Sequence, residues 1–514
     1  MDEIPLHLAT KLGNLDKVQQ LIEEGAIINE VDSDGFTSLH IATDFKHIKI
    51  IKYLLACGAD VNATDTSQRR SPLHYAAFNN DLEIIRLLTE AGANLQCSNI
   101  YGNMPIHMAA KKGYLKIVKY FLENGIHVDI INKKSKKTPL HMAARGGYIK
   151  IVDYLLLNKA NVRLKDCQKR SSIHYGVIGG DAEIVHGLME QGVDINAKDR
   201  FKLTPLHLAC RSWYLDIAQL LLKNGAVCNL QGRSRNYSPL HLASETGCLE
   251  IVKYFISLGV DVNFGTIQEY TLLHAACKWD QIGMVKYLFE NGADVNKKTL
   301  PKGATPLYFA IKNRSPNVAE FLLLNGADLR EDEYKGKSTL STALKDVSGD
   351  YEESEQTEYL VIAKLIIKYT VLIYNPVEKF IEDGCPFFEE LSQYYNDCQK
   401  EITSMRSVTI KNSTVSLYQI ICDSNKGNAF IKYLRNDNIK KELQNIEDYL
   451  KDFSIYGDIL PLVQHWVKEG LQRMKLLSDA DFIMGKIAPK LPSEIRWKIF
   501  DYLNMTDLKT VIHS

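Results

Sequence analysis

One motif recurs about every 33 residues through the first two thirds of the chain. Its clearest copy is Thr138-Pro139-Leu140-His141-Met142-Ala143, and its histidine position returns at steps of 33 or 34 residues. That position is occupied by His7, His40, His74, His107, His141, His174, His207, His241, His274, Tyr308 and Ser341. A glycine keeps the same step at Gly25, Gly58, Gly92, Gly125, Gly192, Gly225, Gly259, Gly292 and Gly326, with Lys159 in the remaining place. Two marks with one period predict a stack of short units, each burying its apolar face against its neighbours.

Local signals predict two helices in each unit. Thr138, or serine as at Ser71 and Ser238, can cap a helix whose first turn holds a proline such as Pro139. The second helix carries an apolar stripe, as in residues 251–256. The glycine that follows can adopt the left-handed conformation that closes this helix.

These residues resemble the ankyrin repeat, whose T-P-L-H-x-A motif opens the first of two antiparallel helices after a β-turn. The resemblance covers residues 1–369 and implies about eleven units. It implies an all-α fold, an ankyrin-repeat solenoid with β-turn fingers, followed by a small helical C-terminal domain. The sixth unit, with Ser172 and Gly176 in its motif, and the irregular eleventh unit depart from the pattern, and we expect them to be the least stable.

The recurrent histidines raise the question of metal binding or catalysis. Because they recur once per unit beside a helix start, an imidazole there can bond the local backbone and the neighbouring unit, and we interpret them as structural. No zinc or other cofactor is expected, and no catalytic, cofactor-binding or metal-binding residue is predicted. The chain contains none of the phosphate-binding, dinucleotide-binding, zinc-protease or nucleophile-elbow motifs, which argues against an enzyme.

Charge is balanced overall but not locally. The chain has 62 Lys and Arg against 62 Asp and Glu, so no global excess favours nucleic acid or an anionic membrane. Six of the turns that precede the T-P-L-H positions are nevertheless basic, and Asp65, Asp166 and Asp199 are their only acids. The candidate partner-binding cations in these fingers are Arg69, Arg70, Lys136, Lys137, Lys169, Arg170, Arg200, Lys202, Arg233 and Arg235.

Such a basic rim favours an acidic protein partner, because its summed field speeds association. The alternative is that these side chains only keep the surface soluble. Nucleic acid is the weaker possibility, since Tyr101, Phe201, Tyr237 and Tyr270 are isolated and form no regular stacking row. No membrane partner is expected, because the most apolar segment, 359–374, is interrupted by Lys364 and is too short to span a bilayer.

An acidic insertion at 343–361 interrupts the last unit. Its acids are Asp346, Asp350, Glu352, Glu353, Glu355 and Glu358. Such a run predicts a solvated loop. The alternative is an acidic lip that associates with basic surface elsewhere.

The repeat ends near 369, and the remaining residues read as packed helices. Helices are predicted at 376–381, 387–405, 415–422, 429–452, 459–476 and 492–502. We divide this part into a helical region at 370–488 and a truncated motif at 489–514. The latter, which runs Leu491-Pro492-Ser493-Glu494-Ile495-Arg496-Trp497-Lys498-Ile499-Phe500, resembles the opening of an F-box.

In F-box proteins this helix enters a hydrophobic groove of the Skp-type adaptor of a cullin ubiquitin ligase. The resemblance implies adaptor-binding roles for Leu491, Pro492, Ile495, Ile499, Phe500, Leu503 and Leu508. The alternative is a core helix that closes the domain.

An ankyrin array that ends in a shortened F-box resembles the long ankyrin proteins of poxviruses, whose C-terminal module is called PRANC. That resemblance implies a viral substrate-recognition adaptor, which binds a host protein through its repeats and recruits a host Skp-cullin-F-box ubiquitin ligase. It also implies action in the host cytoplasm or nucleus. The alternative is an ankyrin binding protein that sequesters a host immune signalling factor without ubiquitination.

Overall fold

The computed structural model describes residues 4–232, 236–329, 353–374, 388–410, 413, 415–424, 437–443, 450, 453–456 and 475. Regular structure in these residues is helical, apart from isolated bridges at Gly265–Thr271 and Thr409–Ser416. The all-α prediction is confirmed for this part of the chain.

Twenty of the helices form ten successive pairs, with first helices of 7 or 8 residues and second helices of 9. They are α1 Pro5–Lys11, α2 Leu15–Glu23, α3 Ser38–Asp44, α4 Ile48–Ala56, α5 Pro72–Phe78, α6 Leu82–Glu90, α7 Pro105–Lys112, α8 Leu115–Glu123, α9 Pro139–Gly146, α10 Ile149–Leu157, α11 Ser172–Gly179, α12 Ala182–Glu190, α13 Pro205–Arg211, α14 Leu215–Lys223, α15 Pro239–Thr246, α16 Leu249–Ser257, α17 Leu272–Lys278, α18 Ile282–Glu290, α19 Pro306–Lys312 and α20 Pro316–Leu324. Four helices follow: α21 Glu353–Tyr374, α22 Phe388–Ser407, α23 Leu417–Ser424 and α24 Asp437–Leu443.

Helix ends lie where the sequence signals place them. The Thr204 side chain accepts a hydrogen bond from the His207 N–H at the start of α13, and Asp81 does the same for Ile84 in α6. Gly125, after α8, has φ of +85°. Lys159 takes the equivalent place after α10 with φ of +62°, a conformation that costs a residue with a Cβ on the order of 1 kcal/mol.

The first of two compact units comprises residues 1–259. Within it, α9 packs against α7 and α11, while α10 packs against α8 and α12. The apolar stripe of each second helix is buried as predicted; Ile151, Val152 and Leu155 of α10 are at most 1% exposed. Burying one such side chain contributes roughly 1.5–3 kcal/mol. The core is therefore distributed along the unit, with one share between each pair of neighbours.

The second unit comprises residues 260–514. Helices α17 to α20 form two more pairs, and α21 packs against α20 and α22. Because α21 begins at Glu353, the loop prediction is wrong for 353–361, while 343–352 lies outside the described residues. The apolar side chains that follow explain the helix: Ile362, Ile366 and Ile367 are at most 1% exposed, and their packing holds the acidic segment before them in the same helix.

The structure describes some of the other predicted C-terminal helices. Helices α22 and α23 match the predictions at 387–405 and 415–422 within a few residues. Of the predicted helix at 429–452, the structure describes 437–443 as helical. The predicted helices at 376–381 and 492–502 lie outside the described residues, as does 459–476 except for Lys475. The proposed domain boundaries at 369 and 488 stay predictions.

We predict that the sixth repeat opens before its neighbours. Gly176 lies in the middle of α11 where α9 has Ala143, and a glycine inside a helix lowers helix stability by roughly 1 kcal/mol relative to alanine. Hydrogen exchange followed by mass spectrometry is expected to show amides of α11 exchanging several-fold faster than those of α9. Equal protection of the two helices would contradict this, because repeat stability would then not follow local sequence.

Candidate protein-binding surface

A buried Asp or Asn residue organises five successive fingers, a finger being the turn between one repeat and the first helix of the next. In the finger at 164–170, Asp166 Oδ1 accepts hydrogen bonds from the N–H groups of Gln168 and Arg170, both at 2.8 Å. Its Oδ2 accepts the Tyr175 hydroxyl hydrogen at 2.6 Å. The carboxylate therefore accepts hydrogen bonds from turn N–H groups that find no backbone acceptor in so tight a turn.

The same arrangement recurs in neighbouring fingers. Asn99, Asn132 and Asp199 each accept two backbone N–H groups of their own turn. Asp65 accepts from Gln68 and Arg70, and also from Tyr75. Burial raises the pKa of Asp65, but the hydrogen bonds it accepts outweigh this effect and leave that pKa below its ordinary value.

Burial of the acids makes the exposed surface of the fingers more basic. Asp65, Asp166 and Asp199 are the only acids of the basic fingers, and they are 1%, 5% and 3% exposed. Their carboxylates face the turn backbone and the neighbouring side chains. The exposed part of these fingers is consequently more basic than the sequence count indicates.

Backbone hydrogen bonds join successive fingers. The Thr66 N–H donates to the Asp34 carbonyl at 2.9 Å, and the Ile100 N–H donates to the Gln68 carbonyl at 2.9 Å. The Cys167 N–H donates in the same way to the Ser135 carbonyl at 3.0 Å. The fingers thus form a continuous edge from the turn at 32–36 to that at 197–203, which holds their tips in a defined register.

The repeat histidines tie each first helix to the next finger. The Thr138 N–H donates to His141 Nδ1 at 3.0 Å, so the neutral ring carries its proton on Nε2. The His141 Nε2 donates to the carbonyl oxygen of Leu164 at 3.1 Å. Leu164 belongs to the finger of the next repeat. Equivalent bonds join His40 to the Arg70 carbonyl and His74 to the Asn103 carbonyl. The structural interpretation of these histidines is confirmed.

Their environment opposes protonation. Burial lowers the pKa to about 4 at His74, His107, His141, His174 and His207. A second proton on Nδ1 would also face the capping N–H group, which is a donor. These imidazoles are therefore neutral at physiological pH.

The finger cations divide into two classes. Arg69, Lys136, Lys169 and Lys202 have φ between +51° and +60°, and their side chains are exposed, as is that of Arg200. Arg70, Lys137 and Arg170 come one residue later in the turn and are half-buried. Arg170 pairs with Asp199 at 3.4 Å, and Lys137 Nζ lies 5.2 Å from the centre of the Tyr175 ring. Arg233 and Arg235 lie outside the described residues.

A groove of about 660 Å³ lies beside three of the fingers, over the first helices α5, α7 and α9. Arg70 and Lys137 line it from the fingers. Lys111, Lys112 and Arg145, which the sequence prediction missed, line it from α7 and α9. The charge pattern of the turns does not include them, because they lie at the ends of first helices, on the same side as the fingers.

Comparison with known families identifies the repeats. The model for ankyrin repeats (3 copies) matches in overlapping segments from 1–65 to 258–333, which together cover well over half of the chain. The chain belongs to the ankyrin-repeat family. The PRANC domain model matches 412–513 of this ankyrin-repeat protein, and the combination is that of the poxvirus type. Both domains are interaction modules and not catalytic families.

Curated relatives of this ankyrin-repeat protein match over its repeats. Putative ankyrin repeat protein FPV230 of fowlpox virus is 31% identical over 137 residues, which is 26% of this chain and 70% of that protein. The mouse B-cell lymphoma 3 protein homolog is 32% identical over 124 residues, covering 23% of this chain and 28% of the relative. E3 ubiquitin-protein ligase KEG of Arabidopsis thaliana is 31% identical over 138 residues, 24% of this chain, which spans only 8% of that relative.

Two features of the described residues concern other kinds of site. None of the described helices is long and apolar enough to cross a membrane. Among the same residues, no cluster of three or more His, Cys, Asp or Glu side chains is arranged to hold a metal ion.

We predict that acid destabilises the repeats through their histidines. The unfolded chain takes up protons below pH of about 6.5, whereas the folded chain takes them up only near pH 4, so the free energy of unfolding falls as pH decreases between these values. Urea unfolding of His141→Gln at pH 7.5 and pH 5 is expected to show a pH-dependent loss smaller than that of the unaltered chain by about 2 kcal/mol.

The matched control is His186→Gln, which removes an exposed imidazole from α12 of the first unit. If His141→Gln loses as much stability between the two pH values as the unaltered chain, His141 does not contribute to acid sensitivity and the argument fails.

We predict that Asp166 is needed for the stability of its finger. Asp166→Ala leaves two turn N–H groups and the buried Tyr175 hydroxyl without their acceptor, and it is expected to lower the free energy of unfolding by about 2–4 kcal/mol. Asp153→Ala removes an equal charge from an exposed position on α10 and should cost less than about 0.5 kcal/mol. Equal losses in urea unfolding would refute the Asx role.

Proposed function

We propose that this protein is a substrate-recognition adaptor, which binds a host protein through its ankyrin repeats and brings it to a Skp-cullin-F-box ubiquitin ligase. The observation that carries the proposal is the PRANC match at 412–513 in the same chain as the ankyrin match. Ankyrin repeats mediate protein binding, and PRANC resembles the F-box. The adaptor performs no chemistry itself, and it acts in the host cytoplasm or nucleus.

The capturing end is the finger edge of the first unit. Its outward cations are held on turns that buried Asx residues and inter-finger hydrogen bonds already order. Binding therefore loses little additional backbone entropy in placing these turns. The field of the exposed cations favours an acidic partner surface and raises its association rate. Arg69, Lys136, Lys169, Arg200 and Lys202 are the finger residues best placed for first contact.

The recruiting end is the motif at 489–514, which lies outside the described residues. Leu491, Ile495 and Ile499 recur every four residues and would form one apolar stripe on a helix. Such a stripe suits the groove of a Skp-type adaptor. Pro492, Phe500, Leu503 and Leu508 are proposed to complete the contact.

The second candidate function is sequestration of a host signalling factor without ubiquitination. It is favoured by the position of the finger edge and the groove, which lie wholly within residues 1–259. A binding surface of that kind needs no contribution from the F-box-like motif. The two functions differ in whether a ligase is recruited.

We predict that Ile495→Asp abolishes adaptor recruitment. The purified full chain is mixed with a purified Skp-type adaptor and cullin, and the amount retained is measured. A charge within the apolar stripe is expected to reduce retention at least tenfold, because a buried carboxylate without a partner is strongly unfavourable. Arg496→Asp, on the adjacent residue but off the stripe, is the matched control.

Retention by the unaltered chain and by Arg496→Asp, with loss in Ile495→Asp, supports the ligase adaptor. If the unaltered chain retains no adaptor, the recruitment proposal fails and sequestration remains. Ubiquitin transfer or hydrolysis by the purified chain alone would contradict the statement that it performs no chemistry.

A further inference from the structure

We propose that the groove over α5, α7 and α9 binds an extended acidic protein segment with an apolar side chain near its centre. The proposal rests on the proposed function insofar as the repeats capture a protein, and it specifies the chemistry of the segment they hold. It concerns residues 70–146, all within the first unit.

Charge is the first argument. Among the fourteen described residues that line the groove, five are cationic and none is acidic. The cations are Arg70, Lys111, Lys112, Lys137 and Arg145. They come from two fingers and two helices, so they surround the groove instead of forming a single run. Burial lowers the pKa of Lys137, the charge of Arg145 adds to the effect, and the charge of Asp166 opposes it.

Arg70 supplies an unmet hydrogen-bond donor. Its guanidinium carbon lies 5.8 Å from the centre of the Tyr75 ring and 5.6 Å from that of Phe78. Its Nε is buried, and within the described part of the chain it has no hydrogen-bond partner. A guanidinium that is held on aromatic faces and lines the groove is suited to a carboxylate, whose oxygens can accept from its fork of N–H groups.

The groove also has an apolar part. Phe78 is 37% exposed, and Met108 and Met142 line the groove beside it. Methionine side chains adapt their shape to a bound apolar group. An acidic segment with a leucine or aromatic side chain between its carboxylates would therefore match both parts of the surface.

A protein segment fits this surface better than a nucleic acid does. Single-strand binding needs open aromatic faces on which bases stack. Phe78 does not offer one, because Arg70 lies over its ring and Lys112 Nζ is 4.5 Å from its centre. Tyr101 is the other aromatic residue of the lining, so the groove lacks a row of stacking platforms.

The test uses the full chain and a fluorescein-labelled synthetic peptide in which aspartate and glutamate flank two central leucines. Fluorescence anisotropy at near-physiological salt measures its dissociation constant. Lys112→Glu with Arg145→Glu is expected to weaken binding at least tenfold, since two attractions become repulsions. Lys116→Glu with Lys150→Glu is the matched control, because it reverses two exposed charges on the second helices of the same two repeats.

Three further probes complete the design. Peptides with glutamine for the acids, or serine for the leucines, should each bind more weakly than the parent peptide. A peptide with lysine for the acids should bind the groove variant more tightly than the unaltered chain, which also shows that the variant is folded. A thymidine oligonucleotide of similar length tests the other class of partner.

Equal weakening by the groove and control variants would overturn the proposal, because the attraction would then be general. Tighter, groove-dependent binding of the oligonucleotide would overturn it in favour of nucleic acid. Retention of the Skp-type adaptor is measured on the same variants, so failure of the groove proposal and failure of ligase recruitment give different results.

Discussion

The hydrogen bond from a buried imidazole to a carbonyl of the next repeat is the interaction on which the repeated structure depends. One histidine joins three parts: its Nδ1 accepts from the helix cap, its ring fills the interior, and its Nε2 donates to the following finger. The bond therefore sets the position of a finger from the start of the preceding helix. Because the ring is buried, leaving its Nε2–H unpaired would cost roughly 1–3 kcal/mol. Each repeat consequently needs its neighbour.

The fingers show how a polar turn can be rigid inside and variable outside. Asp166 and its counterparts satisfy the turn backbone from within, whereas exposed cations such as Lys169 lie at the tips. The exposed side chains at the tips therefore do not hold the turn together. A cation such as Lys169 can change without disturbing the turn, whereas Arg170, paired with Asp199, cannot. The repeats can keep their fold while their binding chemistry diverges.

The groove combines both kinds of position. Its walls come from fingers whose geometry the repeat imposes, and part of its chemistry comes from the last turns of α5, α7 and α9, where the repeat motif specifies no residue type. Phe78, Lys112 and Arg145 occupy such open places. Family membership accounts for the scaffold on which they stand, and only these particular side chains distinguish this chain's surface from that of another ankyrin-repeat protein.

The sequence by itself determined the period, the helix pairs, their caps and the structural role of the histidines, because the caps depend on residues close together in one unit and the histidines recur in step with the period. The tertiary structure decided which charges face outward. Arg69 and Arg70 are adjacent in the sequence, yet a left-handed backbone turns the first to solvent while the second packs on rings of the following helix. It also decided that Asp65 is buried, that α21 extends into the acidic segment, and that Lys112 and Arg145 share a groove with the fingers. The groove brings together residues that lie far apart in the chain, and the other outcomes depend on three-dimensional packing that the period of the motif does not specify.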